Sequence, residues 1–183
     1  MDKNVKNSIC TYVLLFFTFS IFGWIYEVVL TYFQLGIFVN RGALFGPWLP
    51  LYGYGGVIIL LLTSRIKSKK WLTYLVSIVC AGILEYLTSW YLEVFVHKKY
   101  WDYSNFYFNI GGRTCLEVLL VFGLFAMFFI YIAVPFLKRY FTKISKKVKY
   151  IICIILILLF GIDKIHSYIH PNTGVGVATD MKL

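Results

Sequence analysis

The sequence has little charge for its length. Only 14% of its 183 residues are Asp, Glu, Lys or Arg, whereas a soluble domain carries about a quarter. Hydrophobic residues make up 60% of the chain and fall in long blocks rather than at amphipathic spacing. The shortage of charge excludes an ordinary soluble domain and indicates that a bilayer is the solvent.

The sequence also lacks the signatures of nucleotide hydrolysis and of common hydrolases. It contains no Gly-x-x-x-x-Gly-Lys-Ser/Thr, Gly-x-Ser-x-Gly or His-Glu-x-x-His pattern. Any ATP hydrolysis would have to come from a separate chain, and we expect no cofactor. The absence of a recognisable nucleophile favours a non-enzymatic role. An enzyme would have to use an acid–base pair such as Glu85 with Glu27.

Cysteine and linker sequences are scarce as well. The four cysteines lie in or beside apolar blocks without metal-site spacing, so we interpret them as small packing residues. Asp163, His166 and His170 recur at helical spacing but lack a fourth ligand, which favours polar interface residues over a metal site. No long Pro/Ser-rich linker occurs, so residues 1–183 are predicted to form a single integral membrane domain.

Five apolar blocks approach the roughly 20 residues that cross a bilayer. Their predicted ranges are 8–33, 48–66, 71–96, 113–137 and 148–168. We therefore predict an all-α, polytopic transmembrane helix bundle of about five spans, or six if an outer loop re-enters. The first block contains Trp24 and Glu27 and ends without a cleavage site, so we expect a retained helix. The tail 171–183 is predicted to be flexible.

The basic residues predict the orientation of this bundle. With the N-terminus in the cytoplasm, twelve of the eighteen Lys and Arg residues lie on the inner side, which the positive-inside rule favours. Because they lie between apolar blocks, the net charge of +10 predicts contact with the lipid bilayer and no nucleic acid. The basic run from Lys138 to Lys149 suits anionic lipid heads or, alternatively, a cytoplasmic partner.

Two outer segments differ from ordinary loops. Residues 34–50 are too apolar for a solvated loop and too rich in Gly and Pro for a helix, which favours a segment that dips into the protein. Residues 97–112 are rich in Trp and Tyr, as membrane interfaces are. Both segments are expected to lie over the outer ends of the helices.

Acidic residues are concentrated on the outer side. All eight except Asp2 fall in the outer half of a predicted span or beyond it. A carboxylate at membrane depth costs about 2.5 to 3.5 kcal/mol, so these acids should face a shared interior or cavity. Glu85, Ser89 and Glu93 lie on one stripe of the third helix, and Arg41 and Arg113 are their expected cationic partners.

These residues predict an outward-facing pocket. Its candidate lining residues are Trp24, Glu27, Asn40, Arg41, Tyr52, Glu85, Ser89, Glu93, Trp101, Asp102, Tyr103, Asn109 and Arg113. The alternative is that the charges pair only with one another and lock helices and loops together. No catalytic or metal-ligating residue is predicted.

Several ordered motifs carry a resemblance to a known family. They are the segments 22–27, 38–42, 46–53, 84–93, 101–104 and 108–116. Together they resemble the bacterial family of integral membrane proteins called Putative ABC-transporter type IV, or CmpB-like. The resemblance implies a permease-type subunit in a bacterial cell membrane that works with a separate cytoplasmic ATPase subunit.

The residues and the resemblance leave three hypotheses. The first is a permease-like or substrate-capture subunit that binds a small-molecule ligand in the outer pocket. The second is a membrane-embedded enzyme that acts on a lipid-type substrate, with Glu85 or Glu27 as acid or base. The third is a non-catalytic accessory or sensor protein.

Overall fold

The computed structural model describes residues 9 to 180, and these are mostly helical. The five helices of this part of the chain are α1 (Ile9–Leu35), α2 (Pro50–Thr63), α3 (Lys70–Val96), α4 (Leu116–Lys143) and α5 (Lys146–Ile169). Consecutive helices run in opposite directions, so the connections gather at two ends. We call the end with residues 36–49, 97–115 and 170–180 the loop end, and the end with residues 64–69 and 138–149 the basic end.

The prediction of a mostly helical chain is confirmed, whereas the prediction of about five spans is not confirmed. Three of the described helices, α1, α3 and α4, are long and apolar enough to cross a membrane. The helix α2 has 14 residues, about 21 Å at 1.5 Å per residue, which is shorter than the hydrocarbon core of roughly 30 Å. Large apolar side chains cover the outside of the bundle; Phe136, for example, is 70% exposed.

The loop before α2 explains why that helix is short. Its last residue, Leu49, donates its backbone N–H to the carbonyl of Ser20 at 2.9 Å. Ser20 lies fifteen residues before the end of α1, so the chain descends about 22 Å along α1 before α2 begins. In this stretch of the loop, Leu44 and Trp48 are buried against Phe17. The loop therefore dips into the bundle, as its apolar and glycine-rich sequence predicts.

Close packing of α1 against α2 depends on glycine. A Cβ atom on Gly53 would lie 2.2 Å from Ser20 Oγ, and one on Gly56 would lie 2.3 Å from the Phe19 ring. On the facing helix, a Cβ on Gly23 would overlap the Tyr52 ring in the same way. The two backbones approach because these positions carry no side chain, as in other membrane helix pairs.

The buried core lies where the first four helices meet towards the basic end. Leu15 of α1, Ile59 of α2, Cys80 of α3 and Val134 of α4 belong to one apolar cluster. Residues 129–133 of α4 form a widened, π-helical turn just before Pro135, which has no backbone N–H to donate. This packing leaves the halves of α1 and α4 nearer the loop end to face each other through side chains.

Short strand pairs organise the loop end. Strands β2 (Asn109–Ile110) and β3 (Thr114–Cys115) form an antiparallel hairpin in which Gly111 and Gly112 have φ of 60° and 68°. Glycine adopts this left-handed region without steric cost, which lets the chain turn tightly. The helix predicted over 113–137 accordingly begins only at Leu116, after the hairpin, and continues to Lys143.

The C-terminal segment also packs at the loop end. Strand β1 (Lys98–Lys99) pairs antiparallel with β4 (Thr179–Asp180). Between α5 and β4, Asn172 and Val177 are buried. Residues 171–180, which were predicted to belong to a flexible tail, thus lie against the other segments of the loop end, and residues 181–183 fall outside the described part of the chain.

Candidate functional site

Glu85 lies at the centre of the polar residues of the loop end. Its position on α3 faces the helices rather than the outside, and the residue is only 3% exposed. The Tyr103 hydroxyl donates to its Oε1 at 3.1 Å, and the Thr114 hydroxyl donates to its Oε2 at 2.6 Å. Both carboxyl oxygens are therefore held by hydroxyl groups from the segment between α3 and α4.

Glu85 differs from Glu27 and Glu93 in having no cationic partner among the described residues. No Lys or Arg of residues 9–180 forms an ion pair with it. The charge that acts on it comes from another carboxylate, Glu27 of α1. Because Arg41 offsets the charge of Glu27, this part of the site keeps one negative charge when Glu85 is ionised.

Glu93 is held by an ion pair two turns further along α3. Arg113 donates to its Oε2 at 2.5 Å, and the Ser89 hydroxyl donates to its Oε1 at 3.1 Å. The Arg113 guanidinium lies over the Tyr86 ring at 5.3 Å, a cation–π arrangement. The hydrogen bond that Arg113 donates to Glu93 raises the pKa of Arg113 above its ordinary value, so this cation stays charged. The β2–β3 hairpin aims Arg113 at α3.

Glu27 is held by the first loop and by α2. Its carboxylate accepts a hydrogen bond from the Tyr52 hydroxyl at 2.7 Å and forms an ion pair with Arg41 at 3.4 Å. Arg41 also donates to three backbone carbonyls, those of Tyr100, Gly176 and Val177. This one guanidinium therefore ties together α1, both outer segments and the C-terminal segment.

Trp24 and Asn40 support the same loop. The Trp24 indole N–H donates to the Asn40 side-chain oxygen at 2.7 Å, and the Asn40 amide donates to the Phe45 carbonyl at 2.8 Å. These two contacts fix the loop to α1 just after it leaves the helix. They give both residues a structural role beside Glu27.

The segment between α3 and α4 is braced internally. Asp102 pairs with Lys99 at 2.9 Å and accepts the Ser104 backbone N–H at 2.9 Å. The hydrogen bond from Lys99, followed by the one from the Ser104 hydroxyl, lowers the pKa of Asp102 to about 2. Trp101 donates its indole N–H to the Arg113 carbonyl at 2.8 Å, and Asn109 accepts the Gly112 N–H at 3.0 Å.

Tyr103 projects from this braced segment towards the helices. Burial, and then the charge of Glu85, raise the pKa of Tyr103 well above its ordinary value. The hydroxyl therefore stays protonated and available as a donor. Tyr103 closes the site over Glu85 from the loop end.

Beneath these networks lies a cavity between α1, α2, α3 and α4, with a volume of about 110 Å³. Most of its wall is aromatic, from residues such as Phe19, Phe22, Phe122, Phe125 and Phe129. Of the predicted site residues, Tyr52 and Glu85 line it. The other predicted residues lie in the surrounding networks and contribute loop and helix contacts instead.

Two residues that organise the site were not predicted from the sequence. Thr114, which is 2% exposed, supplies the second hydroxyl on Glu85. The Asn172 amide donates to the carbonyls of Asn40, Gly42 and Leu44, which only the tertiary fold brings near it. A buried threonine two residues before a helix carries little sequence signal, because threonine is common at such positions.

Asp163 has a structural role in the same region. Its carboxylate accepts the backbone N–H groups of Phe45 and Gly46 and the Trp48 indole N–H, the last at 2.6 Å. The His166 ring packs against Phe45 with centroids 5.1 Å apart. Asp163 thus anchors the descending loop to α5. The signal for this role in the sequence was that Asp163 is the one acid in that apolar helix.

Comparison with known proteins identifies the family. A model of the family described as Putative ABC-transporter type IV matches residues 14–168, most of the chain. The chain belongs to this family. The match runs from α1 into the last turn of α5 and includes every polar network described above except the contacts of the C-terminal segment. Searches of curated proteins and of solved structures gave no match.

Proposed function

We propose that this family member is a permease-like or substrate-capture subunit of a transporter. The observation that carries the proposal is the cavity among α1–α4, with Glu85 at its polar end and aromatic walls below. A buried, unpaired acid inside an apolar bundle is costly, and such residues commonly mark ligand or ion pathways in membrane proteins. Tyr103 and the segment that carries it would act as the cover on the outer side.

The proposal includes five spans, which are the three longer apolar helices together with α2 and α5. The re-entrant loop 36–49 supplies the membrane depth that the 14 residues of α2 leave uncovered. Its backbone lies against α1 and Asp163 rather than lipid, which is the condition for irregular backbone at membrane depth. The helix α5 has 24 residues, enough for one crossing.

The same proposal places the N-terminus and the basic end in the cytoplasm of a bacterial cell. Cysteine labelling tests this orientation well, because Cys10, Cys80, Cys115 and Cys153 are all buried and give little background. We expect a membrane-impermeant maleimide to label Tyr107→Cys, at a position 96% exposed, from outside intact cells. It should label Lys147→Cys only after the cells are opened. Labelling of position 147 from outside would reverse the topology.

A transporter of this type requires an ATPase from another chain. The family is described as ABC-transporter-like, and the cations Arg139, Lys143, Lys146 and Lys147 are exposed at the basic end, where such a subunit would dock. Gentle purification from native membranes, followed by mass spectrometry, should recover an ATPase with the chain. Charge reversal at Lys143 and Lys147 should weaken that association. Recovery of neither an ATPase nor a small molecule would contradict the transporter proposal.

An enzyme is the second candidate, because the Glu85 carboxylate, the Tyr103 hydroxyl and the Thr114 hydroxyl meet beside an apolar cavity. Such a group could move a proton on a lipid-type substrate. Turnover of a lipid by the purified chain alone, lost in Glu85→Gln, would select this candidate. Absence of turnover together with a co-purifying ATPase would select the transporter.

A further inference from the structure

The cavity among α1–α4 combines two features that select a class of ligand. It has an aromatic wall, and Glu85 is the one charged residue among those that line it in the described chain. Tyr26 and Tyr52 are the other residues that bring side-chain oxygen to the wall. An apolar ligand would leave the Glu85 carboxylate without compensation, and an anion would be repelled by it.

The local balance of charge points in the same direction. Arg41 offsets Glu27 and Arg113 offsets Glu93, whereas Glu85 is held only by hydroxyl groups. Two hydroxyl donors suit an ionised carboxylate, which accepts and cannot donate hydrogen bonds. When Glu85 is ionised, the site therefore presents to the cavity one negative charge that no ion pair of residues 9–180 offsets.

The aromatic wall suits an organic cation. Tyr52 packs edge-on to Phe122 with ring centroids 5.8 Å apart, and Tyr26 packs similarly on Phe125 at 5.1 Å. Aromatic faces attract alkylammonium groups, and buried sites strengthen that attraction. An inorganic cation fits poorly, because it needs several oxygen ligands to replace its water shell and this wall supplies few.

The shape of the cavity suggests how such a ligand enters. The helix α1 packs closely on α2, α2 packs closely on α3, and α3 packs closely on α4. Between α1 and the neighbouring half of α4, contact is instead through rings, such as Phe22 with Phe129 at 4.8 Å. Side chains can rotate out of a seam of this kind without moving the backbone. A ligand that partitions into lipid could therefore reach the cavity from the side.

We propose that this cavity binds a lipophilic organic cation, with Glu85 as its counter-ion. The inference rests on the proposed function and names its substrate class. The volume of about 110 Å³ lies below the ~300 Å³ at which drug-sized pockets begin. The ligand is accordingly a small amine or quaternary ammonium compound, or the cationic head of a longer one.

The test uses the full chain in lipid nanodiscs and two probes of similar size and opposite charge. Phenyltrimethylammonium is the cation and benzenesulfonate is the anion, and isothermal titration calorimetry measures both. We expect the cation to bind at least about tenfold more tightly than the anion. Glu85→Gln should remove most of that preference. Glu117→Gln, a partly buried acid that does not line the cavity, should leave it unchanged.

A second variant keeps the test decisive if Glu85→Gln does not fold. A Cβ on Gly55 would meet only the Leu84 side chain, at an ordinary 3.6 Å, and Gly55 lines the cavity. Gly55→Leu should therefore be tolerated in α2 while filling the cavity, and it should abolish binding of the cation. Size-exclusion chromatography and circular dichroism report whether each variant is folded.

The outcomes separate this inference from the proposed function. Equal binding of the two probes, no binding of the cation, or unchanged binding in both Glu85→Gln and Gly55→Leu would overturn the inference. If the cation fails to bind while an ATPase still co-purifies, the substrate class is wrong and the transporter proposal stands. If the cation binds and no ATPase co-purifies, the binding site stands and the transporter proposal fails.

Discussion

Charged side chains at the loop end of the bundle differ from those at the basic end in burial and in their contacts. At the loop end, Glu93 and Glu85 are buried and each has defined hydrogen-bond partners. At the basic end, Arg139, Lys143 and Lys147 are exposed. Lys138 lies over the ring of Tyr12, with its Nζ 5.7 Å from the ring centroid. The charged residues of the loop end thus depend on tertiary contacts, whereas those of the basic end depend only on where they lie in the sequence. Recognition of a ligand requires charges that tertiary contacts hold in place. The positive-inside bias requires only that basic residues lie in the right part of the sequence.

Removal of one cation from each end should show the largest contrast. Arg113→Leu leaves the buried Glu93 without its cationic partner, whereas Lys143→Leu removes an exposed charge. Breaking a buried pair costs about 3 to 5 kcal/mol, but the Arg113 side chain is 24% exposed, so we expect about 2 to 3 kcal/mol for Arg113→Leu. Lys143→Leu should stay within about 0.5 kcal/mol. Thermal unfolding in detergent measures both.

A double-mutant cycle identifies the cause of that loss. If the unpaired carboxylate is responsible, adding Glu93→Gln to Arg113→Leu should restore part of the stability. A double variant that is as unstable as the sum of the two single variants would mean that Arg113 acts through packing on Tyr86 instead.

The second contrast concerns the descending loop and α5. Asp163→Ala removes the acceptor for two backbone N–H groups and the Trp48 indole, and we expect a loss of about 2 kcal/mol. The neighbouring exposed residue supplies the control, because Lys164→Ala should have little effect. Tryptophan emission should shift in Asp163→Ala as the Trp48 hydrogen bond is lost. An unshifted spectrum with unchanged stability would show that the loop does not need this anchor.

A smaller effect is expected where the C-terminal segment meets the first loop. Asn172→Ala leaves the carbonyls of Asn40 and Gly42 without their side-chain donor, at a cost of about 1 to 2 kcal/mol. Asn105→Ala, an exposed position on the outer segment, is the matched control and should be neutral. Limited proteolysis of the C-terminal segment should speed up only in Asn172→Ala. Equal proteolysis of the two variants would argue that the segment is held by other contacts.

The smallest effect comes from the exposed Asp102. Its pKa lies near 2 rather than the ordinary value near 4, because Lys99 and Ser104 stabilise the ionised form. The folded state binds this proton less readily than the unfolded state. The contribution of Asp102 is therefore present above about pH 4 and is lost as the pH falls towards 2. Asp102→Asn should flatten this part of the thermal stability profile, and an identical profile in both proteins would exclude Asp102 as the cause.

The sequence was sufficient to predict a mostly helical chain because long apolar blocks have few alternatives in a bilayer. The bounds of the third helix, 71–96, agree closely with Lys70–Val96. The second and fourth helices agree less well, since the first residues of each predicted block are used by the re-entrant loop and by the β2–β3 hairpin. A hydrophobicity pattern cannot distinguish an apolar loop that packs on protein from the start of a helix.

The candidate residues stay a prediction as a ligand site, and the structure shows how they are arranged. The spacing of Glu85, Ser89 and Glu93 placed them on one inward face, and all three are buried. Which acid pairs with which arginine depended on the loops, because Arg41 and Arg113 could each reach several carboxylates in an extended chain. Only the folded loops place them on Glu27 and Glu93 and leave Glu85 without a cation.

The sequence by itself determined that this is a helical membrane protein of its family, with the acids concentrated at one end and most of the cations at the other. Composition and block length determine those properties, because the free-energy cost of placing charge in hydrocarbon depends little on detailed packing. The tertiary structure decided that Glu85, unlike the paired acids Glu27, Glu93 and Asp102, faces an aromatic cavity without a counter-ion among the described residues. That outcome depends on distances of a few ångströms between groups far apart in the chain, which no spacing rule in the sequence specifies.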